Sequence, residues 1–94
     1  MYTKLKEVIK TKLSYPAIFS PFENKGGYTV VFPDLLGCVT EGNSKAAAYL
    51  MAIDAAQGWI QDEIEDGRII PAPSSCSSIQ VEPDEFVLMV EIEI

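Results

Sequence analysis

The sequence predicts an α+β fold: three strands, one long helix and a fourth strand, in sheet order 3-2-1-4 with the helix on one face. Three observations carry this. Two β-rich runs, Tyr15–Phe22 and Tyr28–Phe32, flank Glu23-Asn24-Lys25-Gly26-Gly27, whose glycines supply positive φ cheaply, as a hairpin needs. An Ala-rich stretch from Lys45 to Asp66 lies between Ser44, a natural N-cap, and Gly67, a natural C′ stop. Finally, Phe86 to Ile94 alternates with period two.

The elements follow in order. Met1–Leu13 reads as an accessory amphipathic helix, with Tyr2, Leu5, Ile9 and Leu13 on one face, Val8 beside them and lysines elsewhere. It should end before Ser14-Tyr15-Pro16, because a residue preceding proline is pushed out of the α region. Pro16 and Pro21 mark the ends of the first strand. Tyr28–Phe32 is all β-branched or aromatic. Pro33-Asp34-Leu35-Leu36-Gly37 turns the chain into a short third strand, Cys38–Glu41.

The main helix shows Ala48, Ala52, Ala55, Ala56 and Trp59 on one face, where small side chains allow close approach to a sheet. Trp59 reads as core and not as a ligand platform; if it is buried, truncation to Ala should cost about 3–5 kcal/mol. Leu50, Met51, Ile53, Ile60 and Ile64 fall on the other face, where a surface helix is normally charged. Something must cover that second face, either the Met1–Leu13 helix or another subunit. Leu5, Ile9, Leu50, Met51 and Ile53 are therefore the expected oligomer interface. Arg68–Ser78 is a Pro/Ser-rich connection. In the last strand Phe86, Leu88, Val90, Ile92 and Ile94 point one way, and Val87, Met89, Glu91 and Glu93 the other. A strand that follows a helical crossover usually joins the sheet parallel to an earlier strand.

Ninety-four residues make one domain, and a chain this short buries only about 60–65% of its unfolded surface. No apolar run reaches the length of a membrane span, and the N-terminus lacks the apolar region and cleavage site of a signal peptide. The expected location is the cytoplasm, with Cys38 and Cys76 reduced. Net charge is −7, from 14 acids and 7 bases. Nine of the acids follow Gln61, against one base, Arg68. Such a surface repels nucleic acid and steers a basic protein toward itself, besides keeping a small domain in solution.

Residues able to do chemistry are few. Without histidine there is no Ser–His or Cys–His pair and no neutral-pH proton shuttle. Two cysteines without histidine make a zinc site improbable. Gly26-Gly27 is a turn and not a phosphate cradle. Asp34, Glu41 and Asp54 could in principle hold a divalent cation, but they sit on different elements without motif spacing and read as solvated surface. Cys38 reads as a small half-buried hydrophobe, and nothing adjacent to Cys76 would activate it. We therefore expect no enzyme, no cofactor and no metal. Within the turn, Asp34, Leu35 and Leu36, with Glu41 on the following strand, are the candidates for contact with a partner. The competing reading is that they shape the turn and cap the core.

Several of these runs together resemble a known family. Tyr15-Pro16-Ala17-Ile18-Phe19, the stretch from Gly26 through Tyr28-Thr29-Val30-Val31-Phe32-Pro33-Asp34-Leu35-Leu36-Gly37-Cys38 to Gly42, the Ala-faced helix ending in Trp59-Ile60, and Ile70-Pro71-Ala72-Pro73-Ser74 resemble HicB antitoxins over about residues 14–94. The resemblance implies a partial RNase H-like β-β-β-α-β domain. It implies no nuclease activity, since the acidic metal-binding triad of true RNase H enzymes is missing and Asp34 lies in a loop. It also implies a partner, a HicA-like small basic mRNA-cleaving toxin, whose RNA surface or catalytic histidine the antitoxin would mask. Many family members carry a C-terminal DNA-binding domain; the expectation here is none, hence no direct DNA binding and no membrane partner. The extra N-terminal helix and the apolar Leu50, Met51 and Ile53 point to a homo-oligomer. The alternative is a self-associating HicB-like domain of other function, RNA-associated or without a toxin.

Overall fold

The structure, a computed structural model, describes residues 11–94. Its elements are β1 (Lys12–Pro21), β2 (Tyr28–Val31), β3 (Val39–Gly42), α1 (Lys45–Glu65), a 3-10 turn at Cys76–Ser78 and β4 (Phe86–Glu93). The four strands form one sheet in the order β3-β2-β1-β4, as expected from the sequence.

All pairings are antiparallel, including β1 with β4, which runs from Lys12 opposite Glu93 to Phe19 opposite Phe86. β4 is thus parallel only to β2, one strand removed, and not to its neighbour. The long connection explains this. Helix α1 ends beside Ile94, at the end of the sheet where β1 begins. Direct entry from there would make β4 parallel to β1. Instead the segment 68–85 travels back along the sheet. Its Pro71 carbonyl accepts from the Tyr15 hydroxyl (2.6 Å), and its Glu85 carboxylate accepts from the Ser20 hydroxyl (2.6 Å) at the far end of β1. The chain therefore enters β4 from that far end.

β1 begins at Lys12, so Lys12 and Leu13 are strand and not the end of a helix. Thr11 already pairs with Ile94 through backbone bonds. The cross-strand partner Ile92 and the core beneath it draw Leu13 into the sheet. The remainder of the expected N-terminal helix, with Leu5 and Ile9, lies outside the described residues.

The core sits between one sheet face and α1. Tyr15, Ala17 and Phe19 of β1 alternate inward with Val30, Val90 and Ile92, and the helix supplies Ala48, Ala52, Ala56 and Ile60. The helix is bounded as its sequence demands: Ser44 Oγ accepts from the Ala47 amide, and Gly67 takes φ +74° just beyond Asp66. Two expectations change. Ile60 and Ile53 turn toward the core, Ile60 fully buried and Ile53 partly, whereas Trp59 is only half-buried. The apolar stripe of α1 is thus wider than its alanine row, because a single helix must cover the width of four strands. Leu50, Met51 and Ile64 remain exposed.

Candidate functional site: the β2–β3 turn and the sheet edges

The turn between β2 and β3 is two consecutive β-turns. The Leu35 amide donates to the Phe32 carbonyl (3.1 Å) and the Cys38 amide to the Leu35 carbonyl (2.9 Å). Pro33 occupies the second position of the first turn, where its fixed φ is an advantage. Gly37 occupies the third position of the second with φ +83°, which a residue with a side chain adopts only under strain.

Each side chain of this turn has a distinct task. Leu35 is fully buried and plugs the core, and Cys38 is buried in the same core, its thiol pKa raised by burial. Asp34 accepts from both the amide and the hydroxyl of Ser74, each at 2.7 Å, and ties the turn to the 68–85 connection. The Trp59 indole N–H donates to the Leu36 carbonyl (2.9 Å), fastening the tip of the turn to α1. The Leu36 side chain alone has no internal role and is 89% exposed. Of the four residues expected to meet a partner, the structure leaves Leu36 and Glu41 presented to solvent, while Leu35 and Asp34 face inward. Val39, exposed between Leu36 and Glu41, joins this surface. Nothing in the sequence singled it out, because a valine in a short strand reads as core.

Asp34, Glu41 and Asp54 are not brought together; among the described residues no three acidic or thiol groups are arranged so that they could hold a metal ion. Cys38 and Cys76 are unpaired thiols. Seven of the nine acids after Gln61 are exposed and the other two, Glu63 and Glu85, half-buried. Four of the nine crowd the last turns of α1 and its cap, Asp62, Glu63, Glu65 and Asp66, where the helix dipole is already negative. Arg68 answers with contacts to Asp66 (2.9 Å) and Glu63 (3.7 Å). Glu85 holds its carboxyl below the usual range by accepting from the Ser20 hydroxyl and then the Glu82 amide. Among the described residues no helix is long and apolar enough to cross a membrane.

The second feature of the surface is the outer edge of β4. Thr11 and Ile94 exchange backbone bonds, so even-numbered β4 residues bond to β1 and odd-numbered ones point their N–H and C=O outward. Helix α1 reaches two of these carbonyls from above: Gln57 donates to Glu93 (2.8 Å) and the Tyr49 hydroxyl approaches Met89 (3.5 Å). Eight residues of helix and four of strand span the same distance, roughly 12–14 Å, which is why both bonds fit. Beside this edge lies a shallow apolar cleft of about 550 Å³, lined by Lys45, Ala46, Tyr49, Leu50 and Leu88.

The fold and surface define a small α+β domain whose notable features are a fastened loop tip, acidic surface and open strand edges. A family model described as the HicB-like antitoxin of bacterial toxin–antitoxin systems matches residues 15–94. The chain belongs to that family. It is 38% identical over 61 residues to Antitoxin HicB 1 of Photorhabdus laumondii subsp. laumondii, an alignment covering 65% of this chain and 39% of that protein. The chain thus matches well under half the length of this relative. Its fold is similar to a chain of a toxin–antitoxin complex from Streptococcus pneumoniae, with TM-score 0.78 and 24% identity over 87% of this chain and 69% of that one. It is also similar to a chain of the HicA3 and HicB3 toxin–antitoxin complex, with TM-score 0.68 and 24% identity over 85% and 98%. The N-terminal domain of the Burkholderia pseudomallei antitoxin HicB gives 0.68 and 20% over 83% and 95%.

Proposed function

We propose that this domain acts as an antitoxin by binding a small basic RNA-cleaving toxin of HicA type and covering its RNA-binding surface. The family match over residues 15–94 carries the reading. The acidic surface supports it: a protein built to hold RNA is basic, and net charge −7 attracts what RNA attracts. The domain needs no catalytic residue for this role. It has to present a rigid surface, and the turn from Phe32 to Cys38 is rigid because Ser74, Trp59 and the core each hold one part of it. Leu36, Val39 and Glu41 form the surface we assign to the toxin.

The test is co-expression with the neighbouring toxin gene. A complex that co-purifies and suppresses RNA cleavage supports the assignment, whereas the absence of binding at micromolar concentration refutes it. A second reading, self-association without a toxin, is favoured by the exposed Leu50 and Met51.

A further inference from the structure

We propose that residues 1–10 dock on their own domain, in the apolar cleft where the end of α1 meets the end of β4. The proposal is independent of the toxin reading. The cleft has a volume of about 250 Å³ and is lined by Gln61, Ile64, Glu65 and Ile94. Where the chain arrives is the first argument for this occupant. The Ile94 amide donates to the Thr11 carbonyl (2.8 Å) and the Thr11 amide to the Ile94 carbonyl (3.5 Å), so residue 10 joins the domain beside the cleft. Ten residues reach roughly 15 Å as a helix and 33 Å extended, enough in either form to turn back over the last turns of α1. Because the segment is tethered there, it meets its own cleft at an effective concentration on the order of millimolar.

Complementarity is the second argument. The last turns of α1 and its cap carry Asp62, Glu63, Glu65 and Asp66 with no basic residue in the last turn, and the helix dipole adds to their negative charge. Arg68 reaches Glu63 and Asp66; Asp62 and Glu65 meet no cation among the described residues. Residues 1–10 carry Lys4, Lys6 and Lys10 against Glu7 alone, together with the apolar Tyr2, Leu5, Val8 and Ile9. The segment therefore brings what the cleft lacks: apolar side chains for Ile64 and Ile94, and ammonium groups for Asp62 and Glu65. On a helix, residues four apart share a face, so Leu5 and Ile9 can enter the cleft together while Lys6 and Lys10, each one position on, flank them. The larger cleft beside Leu50 and Leu88 offers no such match, since it lies toward the other end of β4 and already holds a cation, Lys45.

The experiment is methyl NMR and native-state proteolysis on the full chain. Methyl groups of Leu5 and Ile9 should show contacts to those of Ile64 and Ile94, and these should keep their intensity when labelled protein is diluted into a large excess of unlabelled chain. Trypsin then reads the docking equilibrium by cutting after Lys4, Lys6 and Lys10 in the folded protein. Ile64 and Met51 are each 45% exposed on α1, so glutamine at either should be tolerated. They lie about 140° apart around the helix, so only Ile64 faces the cleft. Ile64→Gln should speed the cuts about tenfold, the factor that burial of part of one aliphatic side chain is worth, and Met51→Gln should leave them as in wild type. Absence of the methyl contacts would overturn the proposal. So would contacts that vanish on dilution, which would seat the segment on a second copy, and so would equal cutting of the two variants.

Discussion

At the scale of the residue, the turn motif separates scaffold from surface. Asp34 is a tether. Replacing it with Ala orphans the Ser74 amide and hydroxyl and should cost about 1–3 kcal/mol in urea unfolding. Leu36→Ala, by contrast, should leave stability within about 0.5 kcal/mol, because the side chain is almost wholly exposed, yet weaken toxin binding. Opposite behaviour of the two variants would reverse the roles given to them. Three titrating groups make stability depend on pH. Burial and then the Asp34 charge raise the Tyr15 pKa, and burial raises that of Cys38. Both groups bind protons more tightly folded than unfolded. Their contribution is therefore intact at neutral pH and is lost as pH rises past the ordinary thiol and phenol range toward the raised values. Glu85 works in the other direction: its depressed pKa contributes above the ordinary carboxylate range and is lost in acid. Tyr15→Phe should lower stability by about 1 kcal/mol at pH 7, through loss of the bond to Pro71, and flatten the decline above pH 10, as followed by urea titration at several pH values.

At the scale of the element, the close approach of β3 to α1 rests on Gly42. A Cβ built there would collide with the Ala48 nitrogen and lie 2.6 Å from its Cα, backbone atoms that cannot turn aside. Gly42→Ala should cost roughly 1–3 kcal/mol in urea unfolding, by forcing strand and helix apart. Ile60→Ala, at a fully buried position, should cost about 2–5 kcal/mol, and half-buried Trp59→Ala less, roughly 2–3 kcal/mol. The order of these last two inverts what periodicity suggested. The strands, the helix and its two caps were legible because hairpin glycines, Ser44, Gly67 and the alternation after Phe86 are local signals. The ranking of Trp59 against Ile60 was not, since it depends on where one helix sits over four strands. The start of β1 was missed for a similar reason: Leu13 fits a helical stripe, yet its partner Ile92 lies 79 positions away, and only the folded sheet brings them together. The sense of β4 was hidden too, since it is decided by how far the 68–85 segment travels before re-entering the sheet.

At the scale of the whole molecule, the two sheet edges differ: the exposed Leu36–Glu41 surface lies at one, and the eight-residue strand β4 forms the other. The full width of the sheet, in the order β3-β2-β1-β4, separates the surface we assign to the toxin from β4. Of these surfaces the sequence revealed the excess of acid and the apolar residues at Leu50 and Met51, but not the edge itself, because which strand ends a sheet is a property of topology. Association with a basic toxin should be steered by charge, so its on-rate should fall steeply between low and physiological salt while the off-rate changes little, as stopped-flow fluorescence of Trp59 would show. The most direct test of the antitoxin assignment is RNA cleavage by the neighbouring toxin with this chain added in increasing amounts. The antitoxin assignment requires that cleavage stop at stoichiometric protein, that Leu36→Ala need an excess to achieve the same, and that toxin and chain elute together. Undiminished cleavage in the presence of excess folded protein would contradict it.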